Sequence, residues 1–274
     1  MDLIVFDLDG TLLDGSSQIS GFTRETLSLL REQGVAYTVA TGRTLHGARD
    51  LLDGNGFVLP QIFKNGVVIW NPEQQGYSHS FLLTQAEIEH VLESFIREGI
   101  APFLFTLEPG ERHAIYHPPV LSAAESRLAE MLRRDGALPM EHLSALPADA
   151  DITNVSAIGD ENAIRRVVES ISDEQGLVAY MGTAIEDAKL SWVDIHHRAG
   201  SKGDAVATLK AELGLKRVIC FGDSDNDLSM FHYADEAYAP DNAKADIKAV
   251  ATAVIGHHNE DGIARFLRER FSLR

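Results

Sequence analysis

Short apolar runs rich in valine and isoleucine alternate with helical patterns at both ends of the chain. Residues 3–6 and 35–40 are two such runs, and a helical pattern covers residues 23–33 between them. The same alternation returns with a helical pattern at 202–213 and an apolar run at 217–221. Strands that alternate with helices form a parallel sheet that is buried on both faces. We therefore predict an α/β fold with a Rossmann-like, doubly wound, mainly parallel sheet core.

The middle of the chain has a different pattern. Residues 62–70 predict two strands joined at a two-residue Asn-Gly turn. Thr84 and Glu87 form a capping box that opens a helix. Beyond it, strand and helix patterns are short and mixed: strands at 102–106, 112–116, 152–158 and 177–181, and helices near 121–134 and 161–171. This predicts an inserted α+β domain at 81–190, with 1–80 and 191–274 forming the core.

The charge balance limits the classes of partner. The 274 residues include 24 Lys+Arg and 41 Asp+Glu, a formal net charge of -17. This charge repels polyanions, so we expect no nucleic-acid partner. A small phosphorylated substrate is compatible with it, because a metal ion and one lysine invert the potential inside a cleft.

The apolar segments and the single cysteine indicate the setting of the protein. Cys220 lies within an apolar run, so we expect a buried hydrophobic side chain and no internal disulfide. No window approaches 18 uncharged apolar residues, and the N-terminus carries no basic leader. We therefore expect a cytoplasmic protein without a membrane partner.

Two carboxylates follow the first apolar run. On an extended chain, Asp7 and Asp9 would lie on the same side at the carboxyl end of a buried strand. Ligands bind at that edge of an open parallel sheet. The alternative for these two residues alone is a solvated Asp-Gly turn.

A second acidic cluster follows the run at 217–221. Asp223 ends that run after a glycine, and Asp227 comes four residues later. Carboxylates that converge at strand ends repel one another unless a cation joins them, and an all-oxygen site suits Mg²⁺. A calcium loop is the rival interpretation, but Leu228 stands at its glycine position and Ala234 at its glutamate position.

An anion site and a counter-charge are also predicted. Thr41, Gly42 and Arg43 stand where a strand enters a helix, a geometry that holds anions on free N–H groups. Lys202 opens the later helical pattern. Taken singly, Thr41 is better interpreted as a helix cap and Lys202 as a solvated lysine at a helix end; only together do they indicate a site.

Together these segments resemble the four motifs of the haloacid dehalogenase superfamily, in the order expected for it. The motifs are Asp7-Leu8-Asp9-Gly10-Thr11, Thr41-Gly42-Arg43, Ser201-Lys202-Gly203 and Gly222-Asp223-Ser224-Asp225-Asn226-Asp227. Residues 241–243 and 259–262 further resemble the Cof-type branch (subfamily IIB) of sugar phosphatases. In that branch the inserted domain is a cap placed after the third strand.

The resemblance implies a phosphatase that forms an aspartyl-phosphate. Asp7 would be the nucleophile, Asp9 the general acid and base, and Lys202 the counter-charge of the phosphoryl group. Mg²⁺ would be held by Asp7, the backbone carbonyl of Asp9, and Asp223, with Asp227 in or next to the ligand set. The phosphoryl group would be bound by a further set of residues: Leu8, Thr41, Gly42, Arg43, Lys202 and Asn226.

Several expectations accompany this interpretation. The substrate would be a small phosphorylated metabolite such as a sugar phosphate, and the protein a monomer or a weak homodimer. The alternatives are a phosphomutase on the same scaffold and a non-enzymatic phosphate-binding regulator. Outside the motifs, we expect residues 196–200 to be a solvated linker, Gly159-Asp160 to be a turn, and His46, His257 and His258 to bind no metal.

Overall fold

The computed structural model of the protein describes residues 2–108, 112–119, 121–136, 138–184 and 189–274. Its strands are β1 (Asp2–Phe6), β2 (Ala36–Val39), β3 (Gln61–Phe63), β4 (Val68–Asn71), β5 (Gly76–Ser80), β6 (Phe103–Glu108), β7 (Arg112–His117), β8 (Met140–His142), β9 (Asp151–Asp160), β10 (Leu177–Thr183), β11 (Leu190–His197), β12 (Arg217–Phe221), β13 (Glu236–Pro240) and β14 (Ala253–Ile255). Its α-helices are α1 (Gly21–Glu32), α2 (Leu45–Leu52), α3 (Gln85–Glu98), α4 (Ala123–Gly136), α5 (Glu161–Ile171), α6 (Lys202–Glu212), α7 (Leu228–Tyr233), α8 (Ala245–Val250) and α9 (Gly262–Arg270).

The chain divides into two units, Met1–His79 with Gly200–Arg274, and Ser80–Ala199. The first contains a parallel sheet in the order β14-β13-β12-β1-β2. Alternate residues of β1 enter two different hydrophobic clusters, Leu3 in one and Ile4 in the other. Because successive strand residues face opposite sides, both faces of the sheet are covered. The predicted doubly wound α/β fold is confirmed.

The predicted hairpin at 62–70 is present, but its turn is longer than two residues. Strands β3 and β4 are antiparallel, and their last pair joins Phe63 to Val68. Residues 64–67 connect them, and both Lys64 and Asn65 have positive φ, 49° and 58°. A parallel bridge from Ala40 to Ile62 places β3 beside the end of β2. The turn residues therefore follow the carboxyl end of a strand that neighbours the parallel sheet.

The second unit contains a sheet in the order β10-β11-β9-β6-β7-β8. Buried residues of α3 and α5, among them Phe95 and Ile164, share one hydrophobic cluster with residues of β6, β9 and β11. The helices predicted near 121–134 and 161–171 correspond to α4 and α5, and the four predicted strands to β6, β7, β9 and β10. Strands β8 and β11 were not predicted.

Strand β11 corrects two predictions. It pairs antiparallel with both β9 and β10, so residues 191–199 belong to the second unit and not to the core. The solvated linker predicted at 196–200 is also wrong at its start, because His196 is fully buried in this strand. Gly159-Asp160 is not an isolated turn. It ends β9, and the Asp160 carboxylate accepts hydrogen bonds from the N–H groups of Asn162 and Ala163 at the start of α5.

A polar cluster joins strands β6, β7 and β8. Arg112 pairs with Glu108 and with Glu141, and the Tyr116 hydroxyl donates to Glu108 at 2.8 Å. Burial raises the pKa of Glu108, but hydrogen bonds from Tyr116, Arg112 and Thr106 outweigh it and hold the pKa below its ordinary value. The ionised form of Glu108 therefore stabilises the folded second unit.

Two further predictions concern burial and the membrane. Cys220 is free and fully buried in β12, as predicted, and burial raises the pKa of its thiol. Among the described residues, no helix combines the length and the apolar character that crossing a membrane requires.

Candidate active site

Asp7 follows directly after β1, between β2 and β12. Its N–H donates to the Phe221 carbonyl at 2.9 Å, which continues the ladder with β12 by one residue. The Asp7 side chain is 7% exposed. The residue thus stands at the carboxyl edge of the sheet, where ligands bind in parallel α/β folds.

Lys202 is the first residue of α6 and is fully buried. Its Nζ donates to Asp7 Oδ1 at 2.6 Å and to Asp227 Oδ1 at 2.7 Å. The next residue, Gly203, permits this position, because a Cβ there would stand 2.5 Å from the Ser229 carbonyl oxygen. The structure therefore excludes the alternative of a solvated lysine.

Asp227 is fully buried and folds back under the loop that precedes it. Its Oδ2 accepts hydrogen bonds from the N–H groups of Asp223 at 2.8 Å and Ser224 at 3.0 Å. Gly222 leaves room for this carboxylate, since a Cβ at Gly222 would stand 2.5 Å from Asp227 Cγ. With Oδ1 bound to Lys202, both oxygens of Asp227 are engaged.

Asp7, Asp223 and Asp227 form an acidic triad. Each offers a carboxylate oxygen, and these oxygens all lie within 4.8 Å of one another. Burial raises the pKa of Asp7 well above its usual range, Lys202 opposes that rise, and Asp227 and Asp223 add to it. Burial and Asp227 raise the pKa of Asp223 to about 6. One ammonium thus does not balance the three carboxylates.

The donor set of the triad fits a hard divalent cation. Within the described part of the chain, one oxygen of Asp7 (Oδ2) and one of Asp223 (Oδ2) have no hydrogen-bond partner. The corresponding oxygen of Asp227, in contrast, accepts two hydrogen bonds from backbone N–H groups. Oxygen ligands in this number suit Mg²⁺ with waters completing its shell. The calcium-loop alternative lacks support, because Asp225 pairs with Lys244 at 2.7 Å and both side chains are about half exposed.

Asp9 does not continue the strand. The chain leaves the path of the strand after Asp7 and makes an irregular turn over residues 8–12. Within this turn Asp9 and Gly10 have non-helical dihedral angles, Leu8 is fully buried, and Gly10 has a φ of 74°. A Cβ at Gly10 would stand 2.6 Å from Asp223 Oδ2, so only glycine permits this approach. The predicted extended chain from Asp7 through Asp9 is therefore wrong.

Arg43 binds Asp9 through both of its carboxylate oxygens. Arg43 Nε and Nη2 donate to Asp9 at 2.7 and 2.6 Å, and Nη1 donates to the Gly47 carbonyl at 3.1 Å. The side chains are 26% and 53% exposed. Arg43, predicted to bind substrate, thus lies at the site, although its partner here is Asp9.

Thr41, Gly42 and Asn226 meet at Asn65, for which the sequence predicts only a place in the hairpin turn. Asn65 is buried, its N–H donates to the Thr41 carbonyl at 2.9 Å, and its Oδ1 accepts from Asn226 Nδ2 at 2.8 Å. A Cβ at Gly42 would stand 3.1 Å from the same oxygen. Asn65 lies two residues beyond the end of β3, and this closeness to the carboxyl end of a strand is the signal that could have indicated it.

The Thr41 side chain has a local partner. Its Oγ1 accepts a hydrogen bond from the Arg43 N–H at 3.1 Å, so it caps the turn that leads into α2. Thr41 is 1% exposed. The predicted phosphoryl contacts of Leu8, Thr41, Gly42 and Asn226 stay predictions.

Comparison with known proteins places this geometry in a family. The model of the haloacid dehalogenase-like hydrolases matches residues 4–267. The chain belongs to the haloacid dehalogenase-like hydrolase family. The resemblance inferred from the four motifs is thereby confirmed.

Individual hydrolases of this family align over nearly the whole chain. A phosphatase of Bacillus subtilis, YwpJ, is 28% identical, and the alignment covers 98% of this chain and 99% of that protein. A solved haloacid dehalogenase-like hydrolase of B. subtilis has a TM-score of 0.81 and 24% identity over 98% of this chain and 99% of its own. A solved subclass IIB sugar phosphatase, BT4131, has a TM-score of 0.79 and 20% identity over 100% of both chains. At these identities the two solved structures show the fold.

Proposed function

We propose that this hydrolase is a Mg²⁺-dependent phosphatase that cleaves small phosphate monoesters, such as sugar phosphates, through an aspartyl-phosphate on Asp7. The observation that carries the proposal is the contact between Asp7 and Lys202, a buried carboxylate bound to a buried ammonium at the centre of the sheet edge. A salt bridge with no other purpose would contribute little to stability there, because desolvation offsets the attraction. The phosphatase relatives support the same reaction class.

In the first step, an oxygen of Asp7 attacks phosphorus and the bond from phosphorus to the leaving oxygen breaks. Asp9 donates a proton to that oxygen, which departs as an alcohol. Both oxygens of Asp9 are engaged by Arg43, so the Arg43–Asp9 pair must open first. Arg43 is itself suited to bind the incoming phosphate, which would release Asp9.

In the second step, water attacks the phosphorus of the aspartyl-phosphate. Asp9 takes a proton from that water, the bond from phosphorus to Asp7 breaks, and free phosphate leaves. Lys202 stays beside Asp7 throughout and neutralises the charge of the phosphoryl oxygens. Leu8 and Gly42 would add backbone N–H groups, and the side chains of Thr41 and Asn226 would complete the anion site.

The metal would be held by Asp7, Asp223 and the backbone carbonyl of Asp9. Asp227 would position the loop of Asp223 through its contacts with two N–H groups and Lys202. Bound Mg²⁺ would supply positive charge for the phosphoryl oxygens. We assign the choice of leaving group to the inserted unit, Ser80–Ala199, as a cap domain.

The test is Asp7→Asn, assayed with 4-nitrophenyl phosphate in the presence and absence of Mg²⁺. We expect the variant to lose at least about a thousandfold in kcat, as removal of a covalent nucleophile does. Asp225→Asn is the matched control, because Asp225 lies in the same acidic loop but pairs with exposed Lys244. Substantial activity of Asp7→Asn would refute the covalent mechanism.

A second assay separates hydrolysis from transfer. The protein is incubated with hexose phosphates, and free phosphate is measured beside isomerised sugar phosphate. We expect free phosphate. Isomerised product without phosphate release would instead identify a phosphomutase.

A further inference from the structure

The first unit contains a cavity of about 270 Å³ between α2 and the hairpin β3–β4. Leu45, Arg49 and Leu52 line one wall, and they lie on one face of α2 because they are four and three residues apart. Gln61 and Trp70 line the opposite wall. None of these residues belongs to the acidic triad or to its Lys202, so the cavity is separate from the proposed catalytic groups.

Two side chains of the strand wall carry polar atoms that are accessible to solvent and have no partner among the described residues. Gln61 and Trp70 are direct cross-strand neighbours and are 5% and 8% exposed. Gln61 Nε2 donates to the Phe57 carbonyl at 2.8 Å, which fixes the orientation of the amide. Within the part of the chain that the structure describes, neither Gln61 Oε1 nor Trp70 Nε1–H has a hydrogen-bond partner.

These two groups define the polar edge of a ligand. Side chains of antiparallel neighbours stand about 5 Å apart, so the wall offers one acceptor and one donor next to each other. A ligand that displaces water from such a group without pairing with it loses about 1–3 kcal/mol, which disfavours a purely apolar ligand. A ligand that pairs with both groups carries, on one edge, an N–H donor next to a nitrogen or oxygen acceptor.

The other walls define the body and the outer end of the ligand. Leu45, Leu52 and Phe57 are buried and apolar, which favours a flat, uncharged body. At the rim, Arg49 and Asp53 are exposed and form no ion pair with another described residue. A carboxylate at this place accepts hydrogen bonds from hydroxyl groups. A flat base with a polar sugar matches both regions.

From these features we infer that the cavity binds a nucleoside, with the amide or amidine edge of its base paired to Gln61 and Trp70 and its sugar at the rim beside Asp53. The site goes beyond the proposed phosphatase reaction, since a nucleoside carries no phosphate. It requires no group of the acidic triad.

The test uses the fluorescence of Trp70. The chain has two tryptophans, so Trp192→Phe leaves Trp70 as the only one. This variant is titrated with adenosine and with uridine, excited where nucleosides do not absorb. We expect a saturable change with at least one of them, and no response from Trp192 in a Trp70→Phe variant. Absence of a saturable change with both nucleosides would overturn the inference.

Blocked ligands and a cavity variant test the edge itself. Adenosine methylated twice on its exocyclic amine and uridine methylated on its ring N–H keep their shape but lose the donor. We expect each to bind at least about tenfold more weakly than its parent, and Gln61→Met to weaken the parents similarly. Equal binding of parent and methylated nucleosides refutes the assigned edge, even if Gln61→Met fails to fold.

Asp7→Asn separates the two proposals. Nucleoside binding should be unchanged in this variant, whether or not it retains phosphatase activity. Loss of binding would place the nucleoside at the acidic triad and overturn the cavity site.

Discussion

Replacing Lys202 by methionine tests the electrostatic balance of the candidate site. Methionine keeps most of the length of the apolar stem, so the main change is loss of the ammonium. Lys202 Nζ contacts Asp7 at 2.6 Å and Asp227 at 2.7 Å, and the exposed fractions of the three side chains are 0%, 7% and 0%. Water therefore cannot replace the lost charge. Removing one partner of a buried ion pair costs about 3–5 kcal/mol, and we expect a loss in that range.

The measurement is the free energy of unfolding in urea at neutral pH with a chelator present, followed by circular dichroism. Lys244→Met is the control, because Lys244 and its partner Asp225 are 53% and 49% exposed. An exposed pair contributes about 0–1 kcal/mol. The double variant Lys202→Met/Asp227→Asn should recover part of the loss, since one uncompensated carboxylate is removed. If Lys202→Met cost no more than Lys244→Met, the buried charge balance would be refuted.

Three further predictions concern a glycine, the metal and the second unit. Gly10→Ala should lower phosphatase activity more than tenfold, because the added Cβ clashes with Asp223. Gly34→Ala is the control: Gly34 has a similar φ of 70° but open space around its Cβ, so this variant should keep its activity. Equal activities of the two variants would contradict the prediction. Mg²⁺ should raise the melting temperature of the wild type, and Asp223→Asn should abolish most of that increase; an undiminished shift would remove Asp223 from the ligand set. The pKa of Glu108 is depressed in the folded state, so its stabilisation is present above the unfolded value near 4.5 and disappears as pH falls through the folded value. The difference in unfolding free energy between wild type and Glu108→Gln should therefore shrink under acid, and a constant difference would refute this role.

The convergence of the acidic triad could be predicted from the sequence, because its logic is topological. Parallel strands end at one edge, so Asp7 after β1 and Asp223 after β12 had to come near each other once the βα pattern was recognised. The helical pattern that starts at Lys202 placed its ammonium at the same edge. No side-chain detail is needed for that inference.

Local detail was less accessible, since it depends on backbone turns and on long-range partners. The chain leaves the strand direction between Asp7 and Asp9 and turns again at Gly10, and periodicity does not reveal that a glycine has positive φ. The Asn-Gly pair predicts only a hairpin turn at Asn65, whereas the hydrogen bond between Asn65 and Asn226 spans 161 residues. The polar composition around His196 predicts a linker, and it does not show that a strand pairs there on both sides.

The place of the insertion has a consequence for synthesis of the protein. Asp7 and Lys202 are 195 residues apart, and β12, which pairs with β1, follows the whole second unit in the chain. On the ribosome, β1 and β2 emerge long before β12, so one edge of β1 stays unpaired while residues 80–199 are made. Domains fold as units during translation, and an unpaired strand edge invites aggregation. The inserted unit is thus expected to fold first, and Asp7 acquires its lysine only after the whole second unit has been synthesised.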